Sequence, residues 1–219
     1  MKRAVRKFYT LVEIMTVIVI AAILFGIGIP AFTTMIQGSN MTVAIRQLSA
    51  KIQAARAYAV TNRCKVALLL MENGIKEDYC YSAYRVCEVD KDNKFLSWIE
   101  DENWKTLPKG VLRESVSQTE TISDIPGSNI TDIGGSSDTP IKALIFWENG
   151  QMKNATSVIY LGQGRYVKAA SPPLIWTERS ESKFVTHPIE VIKYSGKVKV
   201  GIIEGGELKQ IILKDPPSS

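Results

Sequence analysis

Few side chains of this 219-residue chain have a type and spacing that could do chemistry. Its one histidine, His187, stands alone beside Pro188, and the three cysteines match no zinc-binding spacing. No Gly-x-Ser-x-Gly, His-Glu-x-x-His or phosphate-binding glycine loop occurs in the sequence. We therefore predict that the protein is not an enzyme and that it has no cofactor or metal ion.

One carboxylate, Glu13, stands in a position that needs an explanation. It directly precedes Ile14–Phe32, a run of 19 residues that carries no charge and is rich in isoleucine and valine. As a helix this run reaches about 28 Å, at about 1.5 Å per residue, which is close to the thickness of a bilayer core. A carboxylate at the edge of such a span is costly unless a cation pairs with it.

Positive charge is concentrated ahead of the apolar run. The chain has a net charge of +5, and four of its cations lie before residue 9, namely Lys2, Arg3, Arg6 and Lys7. The remainder is nearly neutral, which argues against a nucleic-acid-binding domain. A basic tip ahead of an apolar segment is typical of an anchor whose first residues stay in the cytoplasm.

Three interpretations of this segment compete: a cleaved signal peptide, a plain membrane anchor and a more specialised helix. The apolar run is longer than that of a secretory signal peptide, and no Ala-x-Ala cleavage site follows it. A plain anchor has the right length, but it leaves Glu13 with no role beyond a place among lipid headgroups beside Lys7.

The residues around Glu13 carry a resemblance. Phe8–Met15 reads FYTLVEIM, a basic leader precedes it, and Pro30 stands 17 residues after Glu13. This register resembles the N-terminus of type IV pilins and type II secretion pseudopilins. The resemblance implies that a prepilin peptidase cleaves between Phe8 and Tyr9, that Tyr9 is N-methylated, and that Glu13 pairs with the amine of a neighbouring subunit during assembly. The family has glycine where this chain has Phe8.

Two further features are expected along the N-terminal helix. Pro30 removes a helical hydrogen bond close to two glycines, which predicts a break in the helix there. Beyond Gly38, apolar residues recur at spacings of 4, 3, 4, 3 and 4, which is typical of a helical face packed on a sheet. These residues are Met41, Ile45, Leu48, Ile52, Ala55 and Ala59. We expect the helix to end at about Asn62.

The remainder of the chain predicts strands at 66–71, 79–89, 141–147, 157–161, 189–194, 198–203 and 208–213. Turn residues at Asn149-Gly150, Ser195-Gly196 and Gly205-Gly206 predict hairpins, so we expect the last three strands to form an antiparallel meander. The pair Ala55-Arg56, the strand Val66–Leu70 and the Asn-Gly turn together resemble GspH/FimT-type minor pseudopilins.

Two segments of the head stand apart. Ser117–Thr139 is rich in Ser, Thr, Gly and Asp and predicts a long, flexible, exposed insertion, either neutral or partner-binding. Cys80 and Cys87 lie seven residues apart and predict a disulfide across a hairpin outside the cytoplasm. Cys64 is expected to be a buried thiol, although a bridge from Cys64 to either of the others stays open.

These observations predict an α+β fold, in which a long hydrophobic N-terminal helix, first transmembrane and then amphipathic, packs on an antiparallel β-sheet head. The expected divisions are a prepilin-type leader at 1–8, a transmembrane and assembly helix at 9–37, an amphipathic helix at 38–63 and a β-rich head at 64–219. The insertion at 117–139 belongs to the head.

The resemblance implies a minor pilin-like structural subunit of a type II secretion or type IV pilus-like filament. The expected partners are other pilin or pseudopilin subunits, the prepilin peptidase, the inner membrane and secreted cargo, whereas nucleic acid is not expected. The expected location is the inner membrane, with a single span and a periplasmic head, and then the filament. Two alternatives stay open: a DNA-binding uptake pilin using Lys193, Lys197 and Lys199, and a single-span membrane protein with an unrelated head.

Overall fold

The computed structural model describes residues 11–72, 77–122, 125, 141–170, 173–176, 187–204 and 207–210. Within these ranges the side chains of 27–38, 176, 202–204 and 207–210 are not described. The chain divides into two compact units, Met1–Ser39 and Asn40–Ser219.

A single helix, α1 (Leu11–Asn62), has 52 residues. It ends where the sequence predicts, because Arg63 adopts a left-handed conformation with a φ of 51° and the Cys64 N–H donates to the Ala59 carbonyl. Pro30 lies inside α1 and does not terminate it, and a local weakening at Pro30 stays a prediction. In the described part of the chain, no helix combines the length and the apolar character needed to cross a membrane.

The amphipathic face predicted for the second half of α1 is confirmed. All six residues of the stripe are buried, with at most 6% of their surface exposed: Met41, Ile45, Leu48, Ile52, Ala55 and Ala59. Because an α-helix has 3.6 residues per turn, spacings of three and four keep these side chains on one face. Arg46, Gln47 and Gln53 occupy the opposite face and are exposed.

The strands of the head follow α1 in chain order. They are β1 (Lys65–Leu70), β2 (Ala83–Val89), β3 (Phe95–Trp98), β4 (Lys105–Thr106), β5 (Val111–Val116), β6 (Glu120–Ile122), β7 (Ile141–Phe146), β8 (Ser157–Tyr166), β9 (Leu174–Trp176), β10 (His187–Val191), β11 (Val198–Glu204) and β12 (Glu207–Gln210).

These strands form two antiparallel sheets within the described residues. The first has the order β3-β2-β1-β7-β6, and β4 also pairs with β2. The second has the order β12-β11-β10-β8-β5, and β9 also pairs with β8. The predicted antiparallel meander of the last three strands is confirmed by the pairing of β10 with β11 and of β11 with β12.

Strand β1 is buried on both faces. Val66, Leu68 and Leu70 belong to a first core, which α1 and both sheets close together. Ala67 and Leu69 point the other way and belong to a second core on the far face of the first sheet. Since successive side chains of a strand alternate between faces, burial on both sides explains why β1 is continuously apolar in sequence.

Arg113 of β5 carries a buried charge and lies beside the end of β1. Its guanidinium donates to the Met71 carbonyl at 3.0 Å and lies 3.8 Å from the Glu72 carboxylate. Burial lowers the pKa of Arg113 to about 10, and the charge of Glu72 opposes this shift. A buried charge is tolerated only when it is paired and hydrogen-bonded, and both conditions hold here.

Sequence reasoning missed the short or polar strands β3, β4, β5, β6 and β9. The prediction of an exposed insertion from Ser117 is wrong at its start, because Glu120–Ile122 forms β6 on β7. Ile122 and Ile125 are buried in the second core. Isolated isoleucines in a polar segment show no period, and the apolar surface that buries them comes from distant strands. Residues 123–124 and 126–139 lie outside the described part of the chain.

The disulfide predicted between Cys80 and Cys87 is wrong in this structure, in which neither of them, nor Cys64, forms a disulfide. Cys87 lies within β2 opposite Ala67, whereas Cys80 precedes the strand. A bridge across a hairpin would need the turn midway between the two cysteines, whereas Ala83–Val89 is one continuous strand.

The one histidine of the chain offers a test of this packing. His187 begins β10 opposite Leu161, and burial lowers its pKa below the ordinary value. The native state therefore protonates His187 at a lower pH than the unfolded state does. The free energy of unfolding should accordingly decrease as the pH falls below about 6.5. A proton NMR titration should give one histidine signal with a native pKa below that measured in urea. Equal pKa values in the two states would contradict the burial of His187.

Candidate assembly interface

The first part of α1 exposes much apolar surface. Eleven large apolar side chains between residues 11 and 25 are 52–74% exposed: Leu11, Val12, Ile14, Met15, Val17, Ile18, Val19, Ile20, Ile23, Leu24 and Phe25. They lie on all sides of the helix because nearly every position is apolar. A helix that is apolar all round needs lipid or other apolar helices around it. We call residues 11–25 the apolar helix.

Glu13 is the ionic group of the apolar helix. It lies in the first turn of α1, and it is the only charged residue between Lys7 and Arg46 in the sequence. A carboxylate near a helix N-terminus interacts favourably with the helix dipole. The neighbouring Thr16 hydroxyl donates to the Val12 carbonyl at 2.8 Å, so its hydrogen bond is satisfied within the helix.

The predicted cleavage point is not placed by the structure. Phe8 and Tyr9 lie outside the described residues, and the side chain of Pro30 is not described. The structure places Glu13 in the first turn of α1, and the roles of Phe8, Tyr9, Glu13 and Pro30 all stay predictions.

In the head, the second half of α1 meets two tight turns at Arg56. Gly150 has a φ of 77° and Gly196 a φ of 59°, both in the left-handed region. The Arg56 Nε donates to the Gly150 carbonyl at 3.1 Å. A Cβ added to Gly196 would lie 2.5 Å from Arg56 Cδ and 2.6 Å from the Gly150 oxygen. Both the backbone conformation and the lack of space therefore require glycine at position 196.

We call Arg56, Gly150 and Gly196 the turn junction. The turns at Asn149-Gly150 and Ser195-Gly196 were both predicted, and both are confirmed by hydrogen bonds that close them. Their meeting at Arg56 was missed. No spacing rule joins positions 56, 150 and 196, although an arginine beside the buried face of a helix and two predicted glycine turns were visible signals.

Lysines of the C-terminal hairpin were the sequence signal for nucleic-acid binding. All three lysines lie on one hairpin. Lys193 and Lys197 lie in the turn between β10 and β11, and Lys199 lies in β11. Lys199 lies directly opposite Glu190 on the neighbouring strand. Cross-strand pairs of opposite charge attract each other, so this hairpin has fewer unopposed cations than the sequence offered.

The thiols of the head do not fit nucleophilic chemistry. Cys64 lies beside the Glu88 carboxylate, which also accepts hydrogen bonds from Tyr58 and Ser97. Burial, followed by the charge of Glu88, raises the pKa of the Cys64 thiol, and burial raises that of Cys87 to about 12. The thiolate is the reactive form of cysteine. Over the described ranges, no group of three or more His, Cys, Asp or Glu side chains could hold a metal ion.

The turn junction can be tested by two glycine substitutions. Gly196→Ala should destabilise the head by about 3–4 kcal/mol, because it combines a left-handed backbone with a Cβ that overlaps Arg56 and a backbone oxygen. Gly110→Ala is the matched control, since its φ is 83° and nothing lies within 4 Å of the added Cβ. It should cost only about 1–2 kcal/mol. Urea unfolding measures both, and equal costs would contradict the close approach at Arg56.

Comparison with solved structures gives structural neighbours of the chain. Neither a family model nor a curated protein sequence matches the chain. The structure is similar to the type IV minor pilin FimU of Pseudomonas aeruginosa, with 11% identity and a TM-score of 0.42 over 76% of this chain and 90% of that one. It is also similar to the minor pseudopilin EpsH from the type 2 secretion system of Vibrio cholerae, with 10% identity and a TM-score of 0.39 over 76% and 98% of the two chains.

Proposed function

We propose that the chain is a pilin-like structural subunit that joins a type II secretion or type IV pilus-like filament through the apolar helix. The observation that carries the proposal is the register at the start of the chain, where a basic leader, Thr10-Leu11, Glu13, an uncharged run and Pro30 follow one another. In support, Leu11, Glu13 and Pro30 lie within α1, and the second half of α1 closes the core of a β-rich head. One helix thus carries both the assembly surface and the head.

Before assembly, the apolar helix lies in the inner membrane, with the basic tip in the cytoplasm and the head in the periplasm. Lipid then removes its exposed apolar side chains from water, which is favourable by about 25 cal/mol per Å² of apolar surface. In the filament, helices of neighbouring subunits replace the lipid. Since lipid tails and leucine side chains are equally apolar, this exchange gains little hydrophobic free energy.

The specificity of assembly must therefore come from packing and from a polar contact. A carboxylate in an apolar environment gains strongly from a cationic partner, because no water competes for it. Glu13 is the one charged residue in the sequence of the apolar helix, and cleavage before Tyr9 would create a new amine on a neighbouring subunit. Pairing of this amine with Glu13 would fix the register between subunits. The head would contact neighbouring subunits or secreted cargo, with a structural rather than a catalytic role.

The N-terminus is the first test of this function. Expressed with a prepilin peptidase, the full chain should lose residues 1–8 and begin at N-methylated Tyr9, as measured by mass spectrometry of the membrane-extracted protein. Phe8→Gly is the matched control, because it restores the residue that the family has before the cleavage point. A chain that starts at Met1 in both forms would overturn the proposal in favour of a single-span protein with an unrelated head.

A second test separates processing from assembly. Glu13→Gln keeps the size of the side chain and removes its charge, so processing should persist while the fraction of the protein recovered in filaments falls by about tenfold or more. Thr16→Val is the control, because the Thr16 hydroxyl donates to the Val12 carbonyl of its own helix and carries no charge. The comparison uses sheared filament fractions from cells that supply the remaining subunits. Equal recovery of the two variants would remove Glu13 from the assembly step.

A further inference from the structure

The turn between β10 and β11 carries exposed side chains that the apolar helix does not use. We call Arg56, Lys193, Tyr194 and Lys197 the basic turn surface. Tyr194 is 75% exposed, and the Lys193 Nζ lies 5.6 Å from the centre of its ring. An exposed aromatic ring beside cations is a common anchor in protein interfaces.

The cations of the basic turn surface are not neutralised within the described residues. The ion pairs found there use Lys51, Arg113, Lys142 and Lys153 instead. Arg56 donates to the Gly150 carbonyl, which carries no net charge. The surface therefore presents three positive charges, Arg56, Lys193 and Lys197, and no carboxylate of the described residues forms an ion pair with them.

A groove adjoins these cations between α1 and the start of β11. Its volume is about 490 Å³, and its lining consists of Gln53, Arg56, Ala57, Gly196, Lys197 and Val198. The turn junction fixes the wall that Gly196 forms, because Gly196 packs against Arg56 and the Gly150 carbonyl. A wall fixed before binding lowers the conformational entropy that a partner must overcome.

The size and charge of this site favour a protein segment over nucleic acid. The salt-dependent affinity for nucleic acid grows with the number of phosphates that are neutralised, and only three cations are available here. One of them, Arg56, is already held by a carbonyl. A groove of this volume accommodates a few side chains of an extended segment, and charge complementarity selects acidic ones.

We propose that the basic turn surface docks an acidic segment of a neighbouring filament subunit. Carboxylates of that segment face Lys193 and Lys197, and an apolar or aromatic side chain packs against Tyr194. The proposal rests on the proposed function, because a filament is what brings another subunit to this head. It specifies which side-chain chemistry forms one contact between neighbouring heads, which packing of the apolar helices does not specify.

The test uses the full chain in neutral detergent micelles and a fluorescent peptide, Glu-Glu-Phe-Glu-Glu, followed by anisotropy. The double variant Lys193→Glu/Lys197→Glu should weaken peptide binding by about tenfold or more, because both attractions become repulsions. Lys91→Glu/Lys94→Glu is the matched control, since it reverses two exposed lysines at the turn between β2 and β3. It changes the net charge equally and should alter binding by less than about twofold.

The role of Tyr194 gives a second readout. Tyr194→Ala should weaken binding of the phenylalanine peptide by about threefold or more and leave binding of Glu-Glu-Ala-Glu-Glu unchanged. Unfolding midpoints in urea, measured on each variant, identify any loss that comes from misfolding.

Three outcomes would overturn the proposal: no binding of the peptide by the wild-type chain, equal losses in the two double variants, or tighter binding of a DNA duplex through the same lysines. The N-terminus is measured on the same preparation. A start at Tyr9 without peptide binding would overturn the docking contact and leave the filament role standing. A start at Met1 in both wild type and Phe8→Gly would overturn the filament role, whatever the peptide does.

Discussion

The head depends on the burial of one face of α1 between Met41 and Ala59. Side chains of this face reach into a core to which β1, β7, β8 and β10 also contribute, so the helix closes both sheets at once. Alanines at 44, 55 and 59 are almost fully buried, which lets strands approach the helix axis closely. Without this face, the apolar sides of both sheets would be open to water.

The first sheet adds a second constraint, because it is buried on both faces. Side chains of β1, β2 and β7 alternate between the core under α1 and a second core on the far side. Polar groups that end up inside must find partners, and Arg113 finds them in the Met71 carbonyl and the Glu72 carboxylate. A separate constraint applies where the two turns meet Arg56. Glycine is required there, because neither the backbone conformation nor the space allows a side chain.

A single helix thus has two kinds of surface. Its first part is apolar on every side and carries one carboxylate, and its second part is striped and belongs to a folded head. The first kind of surface is suited to lipid or to like helices, and the second is suited to a sheet. In the proposed filament subunit, this division lets the helix exchange its surroundings during assembly while the head keeps its own core.

The sequence by itself determined what depends on local spacing and local turn chemistry. Glu13 before an uncharged run, the buried stripe of α1, the end of the helix at Asn62 and the hairpins at Asn149-Gly150 and Ser195-Gly196 were all readable. Each of these features repeats with the period of its own element or needs a particular residue at one position.

Only the tertiary structure decided which distant positions meet. It joined Arg56 to two glycine turns, paired Glu120–Ile122 with β7 inside a segment that looked like a loop, and placed Cys87 within a strand that Cys80 precedes. It also placed Lys199 opposite Glu190 and left Lys193 beside an exposed tyrosine. Burial and pairing of this kind come from residues far apart in the chain, and a local pattern holds no information about them.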